Sequence, residues 1–483
     1  MPKTIFGTSE KSNFILNMKP STLYKWVTLV LAACIALPQI GGFFAAGFST
    51  NTSLPAIFLY TVGFMAILFF IIAAIKNEFS FKENKIVWFM IALVVWAFAS
   101  YYSVVISFNS SSEYYPSFIE EIINTAIMGE LGRNEGLLAF FAYAGVFLLA
   151  LLVNSKKSMQ LLLDITVGLG IMQGLIAVMQ HIPGLKFLTL YDNLPTLALD
   201  KVMLSSGLTG SPIFYGSYIS IVMAIAFAGA VFSRNILRAR IYGAAALLLW
   251  LTGLFTSSIV PMISGVCILI VMTVIVLVQK KKGGVSFEGG LLKSAMARYG
   301  VIAGGMAVIF VLVLIFQGIY LRDRAIAFYD AYFNLFIVNA YHPKEDRCLY
   351  EICFEKAVGY IKEYPLFGVG PDCMAKMEGI DQNTVSPIDK IYNDFLNTAV
   401  SRGIPSLVIY LAFVIAVIKK AVSGISDFFT DSENWYRAAV LTAVIAYLVQ
   451  SFVSVSAVAV APLFWLVCGL ACAKGIDKVK ESK

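Results

Sequence analysis

Charge and histidine are scarce in this chain. Only 13% of its 483 residues are charged, and its two histidines are His181 and His342. Neither sits in an HExxH or comparable array, and no cysteine and histidine spacing suits a zinc site, so nothing in the sequence points to a metal centre. There is no GxSxG and no local serine, histidine and acid arrangement, which removes the serine-hydrolase reading. The glycine-rich turn 364-YPLFGVGPD-372 lacks the glycine, lysine and hydroxyl residue that complete a nucleotide P-loop. Of seven cysteines, Cys34, Cys267, Cys468 and Cys472 fall in or near apolar runs and read as small packing residues. Cys348, Cys353 and Cys373 are odd in number and make no disulfide framework. The net charge of +7 is no nucleic-acid signal, because the cations lie in short loops where topology accounts for them.

What the chain does have is hydrocarbon: 59% of its residues are hydrophobic and 14% are aromatic. Runs such as 56-AIFLYTVGFMAILFFIIAAI-75 reach the length that crosses a bilayer as a helix. The fold class is therefore all-α, a polytopic transmembrane helical protein of about twelve spans. These are placed near 26–49, 55–75, 86–107, 136–154, 159–180, 212–232, 240–256, 259–279, 299–319, 404–418, 436–456 and 459–475. Lysines and arginines gather in the connections after every even-numbered crossing, among them Lys76, Lys156, Arg234, Lys280 and Lys419, so both termini are expected in the cytoplasm. The first apolar run lacks a small-residue cleavage site and reads as a retained helix.

The long connections 108–135, 181–211 and 320–403 then all lie on the other face. They divide the chain into a transmembrane region over 1–319, an extracytoplasmic loop over 320–403 and C-terminal helices with a tail over 404–483. Within the large loop, 347-RCLYEICFEKAVGYIKEY-364 predicts an amphipathic helix, with Leu349, Ile352, Val358 and Ile361 on one face and Glu351, Glu355 and Lys362 on the other. Pro365 ends it. Gly368 and Gly370 let the chain turn before Pro371 and Asp372.

This outer face is set with arginines: Arg133 in 132-GRNEG-136, Arg322 and Arg324 in 321-LRDR-324, Arg347, and Arg402 in 401-SRG-403. Any one of them reads equally as an anchor at the hydrocarbon edge or as an ion-pair partner of Glu135, Asp323, Asp346 or Asp394. Yet cations are disfavoured on that face, and several guanidinium groups together suit a phosphate or pyrophosphate, which they bind bidentately. The stretch 205-SSGLTGSPIFYGSY-218 predicts an irregular start to a helix whose amides face outward, as does 255-FTSSIVP-261 with Ser258. Asn393 and Asp394 stand just before another span, as caps or as polar walls of a wet cavity.

Together these segments resemble the O-antigen ligase and O-antigen polymerase superfamily of bacterial envelope proteins. The phrase that carries the resemblance is an arginine-led helix ending in proline, a hydrophobic pair and glycine-any-glycine, here Arg347 through Pro365, Leu366, Phe367, Gly368, Val369 and Gly370. The stretch 392-YNDFLNTAVSRG-403 is similar to a family phrase with histidine where Tyr392 stands, and 207-GLTGSPIFYGSY-218 and 133-RNEG-136 have counterparts too. The resemblance implies a glycosyltransferase of the bacterial plasma membrane with an extracytoplasmic active site. Its donor would be an undecaprenyl-diphosphate-linked glycan and its acceptor a glycan or lipid-linked molecule, with no cofactor, nucleotide sugar, metal or nucleic acid involved.

In that scheme Arg347 is the first expected residue for stabilising the leaving diphosphate, followed by Arg133 and Arg402 and then Arg322 and Arg324. Asn393, Gly368, Gly370 and Ser258 are expected to shape the substrate site. Two departures stand out: Ser258 replaces an arginine common in the family, and Tyr392, with an ordinary pKa of about 10, is a weak general base. Asp394, Glu351 and His342 are the substitutes, unranked. Rival readings are a carrier of lipid-linked glycan, although the arginines cluster at one face and no internal repeat is visible, and a noncatalytic member of a glycan assembly complex.

Overall fold

The computed structural model describes residues 19–48, 53–82, 84–109, 116–130, 133–182, 204–281, 289–333, 349–378, 390–430 and 432–473. Among the described residues every regular element is helical and no strand occurs. In chain order the helices are α1 (Pro20–Phe48), α2 (Leu54–Ile75), α3 (Ile86–Asn109), α4 (Pro116–Met128), α5 (Leu137–Ala150) and α6 (Lys156–Gln180). Then come α7 (Pro212–Phe232), α8 (Ile236–Leu254), α9 (Ile259–Lys281), α10 (Gly289–Phe333) and α11 (Leu349–Glu363). The last four are α12 (Met374–Glu378), α13 (Asp394–Thr430), α14 (Trp435–Gln450) and α15 (Ala461–Cys472).

Each apolar run of the sequence coincides with one of these helices. Among the described residues nine helices are long and apolar enough to cross a membrane, and α5, α14 and α15 are shorter apolar ones. In hydrocarbon a helix satisfies its own backbone, so the protein is a multi-pass helical membrane protein. Two helices outrun their apolar cores. With 45 residues α10 is about 68 Å long, more than twice the hydrocarbon thickness of about 30 Å, and it projects well beyond the bilayer. Helix α13 begins at Asp394 and contains a break at Gly403, where the backbone leaves the helical region.

Burial separates centre from perimeter. All residues of α7 from Phe214 to Phe232 are buried, as are all of α15 and nearly all of α14. On the perimeter, α10 exposes Val301, Ile315 and Phe316, the last 82% accessible, a surface fit only for lipid. Small residues let α5 slot between α2 and α15: Gly63 faces Ala142, and Gly469 faces Ala150.

Two stretches of irregular backbone are buried among the helices. The connection 451–460 between α14 and α15 is not helical, yet most of it is buried. Ser217 of α7 hydrogen-bonds Gln450 at 2.9 Å and Ser454 at 2.6 Å, which supplies polar partners where water is absent. The irregular start to α7 is held in the same manner. Gln180 accepts from the amides of Ser206 (3.0 Å) and Gly207 (2.9 Å), and Gln173 accepts from that of Leu208 at 2.7 Å.

Helix α11 docks differently from its sequence pattern. Its buried side is built on Cys353 and Ala357, which pack with Val369, Met374, Ile391 and Val400, while Ile352, Val358 and Ile361 are half-buried. Glu351, expected on the polar face, is buried as well. The docking face follows the small residues, which allow the closest approach to the turn beneath. Cys353 and Cys373 are buried, Cys353 donating to the Lys390 carbonyl at 3.6 Å, and Cys348 lies outside the described residues.

Candidate functional site

The turn 364–372 is fastened to the break in α13. Gly368 has φ 69° and Gly403 φ 82°, a region that side-chain-bearing residues rarely adopt. A Cβ on Gly403 would overlap the Leu366 carbonyl, and one on Gly368 the Val400 carbonyl. The two backbones therefore lie against each other. Val369 donates to the Val400 carbonyl at 2.9 Å, Gly370 to that of Ser401 at 3.0 Å, and Ile404 to that of Pro365 at 2.8 Å. Helix α3 clamps the pair from the side: Trp96 donates to the Arg402 carbonyl at 2.9 Å and stacks on Phe367, and Ser100 donates to the Phe367 carbonyl at 2.5 Å.

This clamp delivers two side chains to one place. Asp372, just past the turn, forms a buried ion pair with Arg133 and accepts the amides of Glu130 (2.7 Å) and Glu135 (3.2 Å). It thereby staples the loop ahead of α5 to the turn ahead of α13. Burial pushes the Asp372 carboxyl above the usual carboxylate range, while Arg133 and the two amides oppose that. Arg402, from the broken turn of α13, is 8% exposed and lays its guanidinium over the Phe140 ring at 3.9 Å. It donates through Nη2 to Thr398 at 3.1 Å, and its Nε has no hydrogen-bond partner among the described residues.

Glu135 completes the arrangement. Its Oε1 accepts the hydroxyls of Ser456 at 2.7 Å and Tyr143 at 2.8 Å, and Oε2 takes no hydrogen bond among the described residues. The amide of the same Ser456 donates to Asp394 Oδ1 at 3.3 Å, so one residue of the 451–460 connection touches two carboxyl groups. Burial pushes the Glu135 carboxyl up to about 7. The Ser456 and Tyr143 hydroxyls pull it down, and the charges of Asp394 and Asp372 push it further up.

Arg133, Glu135, Asp372, Asp394 and Arg402 line a cavity with Tyr143, Tyr410, Tyr447, Ser456 and the apolar Phe140, Phe464 and Trp465. Its volume is about 50 Å³, enough for a few water molecules. Two cations and three carboxyl groups thus converge on one small space, and one of the cations is already paired with Asp372.

The expected residues fall into separate groups. Arg133, Asp394 and Arg402 meet at the cavity, and Gly368 and Gly370 form the clamp that aims Arg402. Asn393 caps α13, accepting the amides of Phe395 and Leu396 at 3.1 Å each. Tyr392 packs between the main apolar core and the smaller cluster under α11 and does not line the cavity. Ser258 accepts the Val260 amide at 3.3 Å at the start of α9 and is also absent from the cavity wall. Arg347 and His342 lie outside the described residues. Arg322 and Arg324 fall on α10, and their side chains lie outside them too.

Glu135 is the residue that sequence reasoning passed over as a site residue. In 132-GRNEG-136 it reads as an ion-pair partner for a neighbouring arginine, but Arg133 takes Asp372 instead. Lys390 was passed over as well; it is buried, with its ammonium 4.3 Å from the centre of the Phe214 ring.

A comparison with curated proteins finds no match. Residues 244–411 match the family model described as O-Antigen ligase. That stretch carries Asp372, Asp394 and Arg402, and it belongs to the O-antigen ligase and polymerase superfamily that the motifs around Pro365, Gly368 and Gly370 resemble.

Proposed function

We propose that this protein is a membrane glycosyltransferase of the O-antigen polymerase or ligase type. It transfers or polymerises an undecaprenyl-diphosphate-linked oligosaccharide on the extracytoplasmic face of the plasma membrane, without metal, and polymerisation is favoured over ligation. The observation that carries the reading is Arg402: a buried guanidinium with an unused donor, on the wall of a cavity that also holds carboxyl groups able to move a proton. A diphosphate gathers charge as the anomeric bond breaks, and an oriented cation in a dry site favours that transition state over the ground state. Arg347 and, behind it, Arg322 and Arg324 are the further cations for the diphosphate. Arg133, held by Asp372, fixes the wall.

The helix ends support this sidedness. The N-termini of α5, α13 and α15 and the C-terminus of α14 meet at the cavity, while Lys76, Lys280, Lys281, Lys419 and Lys420 lie at the opposite helix ends. By the positive-inside rule this polarity supports an extracytoplasmic cavity. The proposed division is 1–319, 320–403 and 404–483, and α11 of the middle segment packs against Val369 of the turn.

The test uses purified full-length protein in lipid vesicles, supplied with lipid-linked glycan extracted from cells that lack the gene. New glycosidic product should form without ATP or divalent metal, and replacing Arg347 should suppress it. Donor binding with no product from any acceptor offered would sink the enzyme reading. Movement of the glycan between leaflets instead would establish a carrier.

A further inference from the structure

The cavity contains three carboxyl groups, and their surroundings are unequal. Asp372 is fully committed, with an arginine and two amides on its oxygens. Asp394 opens α13 beside Arg402 and already accepts the Ser456 amide on Oδ1 at 3.3 Å. Glu135 lies within electrostatic reach of Arg402 but makes no ion pair among the described residues. Two hydroxyls fix its Oε1 and leave Oε2 without a hydrogen bond, on a residue that lines the cavity shared with Arg402. A carboxylate so placed is oriented by its neighbours yet keeps one oxygen available for a proton.

We infer that Glu135 is the general base that takes the proton of the acceptor hydroxyl as the new glycosidic bond forms. This rests on the glycosyltransferase reading. The acceptor oxygen bonds to the anomeric carbon, and its proton passes to Glu135 Oε2. The bond from that carbon to the diphosphate oxygen breaks, and its electron pair leaves on the diphosphate. Glu135 returns the proton to water once the product has gone. The charged and titratable groups facing it are Arg133 and Asp372 from the adjoining turns, Tyr60 of α2, Tyr143 of α5, Asp394, Arg402 and Tyr410 of α13, and Tyr447 of α14. Positive charge developing on the anomeric carbon also suits a pocket in which carboxyl groups outnumber cations.

The assignment has a pH signature. A base must be ionised, so turnover should fall as pH drops through about 7, the value to which burial raises this carboxyl. The Tyr143 hydroxyl holds that value down, so Tyr143→Phe should move the acid limb of the profile to higher pH.

The measurement is kcat against pH for full-length protein in vesicles, with the lipid-linked glycan from the deletion strain as donor, together with binding of undecaprenyl diphosphate. Glu135→Gln should lower kcat by roughly a hundredfold to ten-thousandfold, with binding of undecaprenyl diphosphate and melting temperature preserved. The inference is overturned if Glu135→Gln turns over like the wild type, if the wild-type profile has no acid limb near pH 7, or if Tyr143→Phe leaves that limb in place. The last two readings decide the matter even where Glu135→Gln does not fold. An inactive wild type would bring down the glycosyltransferase reading and this assignment together, whereas an active wild type with an active Glu135→Gln would bring down the assignment alone.

Discussion

Arg133 and Arg402 are both buried arginines at one cavity, but their partners give them different duties. Arg133 is tied to Asp372, and removing either partner leaves a buried charge uncompensated. Asp372→Asn should therefore destabilise the folded protein by about 3–5 kcal/mol, read as a lower melting temperature in detergent. Among the described residues the Arg402 side chain makes one hydrogen bond, to Thr398, and rests on Phe140, so part of its donor set is unused. Arg402→Ala should reduce turnover by about a hundredfold to a thousandfold, and an unaffected rate would remove it from the reaction. Glu135 adds a stability effect opposed to its chemical one. Its folded pKa of about 7 stands above its ordinary 4.5, so the folded state holds the proton more tightly. That contribution is fully present below pH 4.5 and is lost as pH rises through 7. Glu135→Gln, which stays neutral, should thus be more stable than the wild type above pH 7, by on the order of 3 kcal/mol, with the difference vanishing near pH 4. Thermal melts across that range would show it.

Two elements decide the site, the glycine turn and the broken helix, and each exists because of the other. The turn was legible in the sequence from Pro365, Gly368 and Gly370, and it reads there as a hinge. Its docking was not legible, because the partners are the carbonyls of Val400 and Ser401 and the side chains of Trp96 and Ser100, all distant in sequence. The same holds for Asp372, whose bonds reach the Glu135 amide 237 residues away. The helices themselves were readable because hydrocarbon demands long apolar runs, whereas polar pairing inside the bundle leaves no periodic trace. Gly403 looked like a mere neighbour of Arg402; it is the residue that permits the break. Gly403→Ala would place a Cβ onto the Leu366 carbonyl at a φ of 82°, so the turn and helix must separate. Backbone conformation alone costs about 1–3 kcal/mol there, with the overlap in addition. Loss of turnover should accompany a changed fluorescence of Trp96, which is bonded to the Arg402 carbonyl. A variant with wild-type rate and spectrum would show that the clamp does not aim Arg402.

At the scale of the whole molecule, the helices sort the charge. Their cation-rich ends and their cavity-bearing ends are opposite, and this polarity is what orients the protein in a membrane. The centre is made of α7, α14 and α15, whose side chains are almost all hidden, so the cavity sits on a rigid base rather than between loosely packed lipid-facing helices. Under the proposed function a lipid-linked donor would approach along the perimeter, and only its diphosphate end and first sugar would need to reach Arg402. The orientation is open to direct measurement. Leu366, 59% exposed beside the clamp, and Lys419, exposed near the far end of α13, mark the two faces. A membrane-impermeant thiol reagent applied to intact cells should label Leu366→Cys and spare Lys419→Cys until the membrane is permeabilised. The reverse pattern would put the cavity in the cytoplasm, beside the wrong pool of lipid-linked glycan, and the extracytoplasmic reaction would be lost with it.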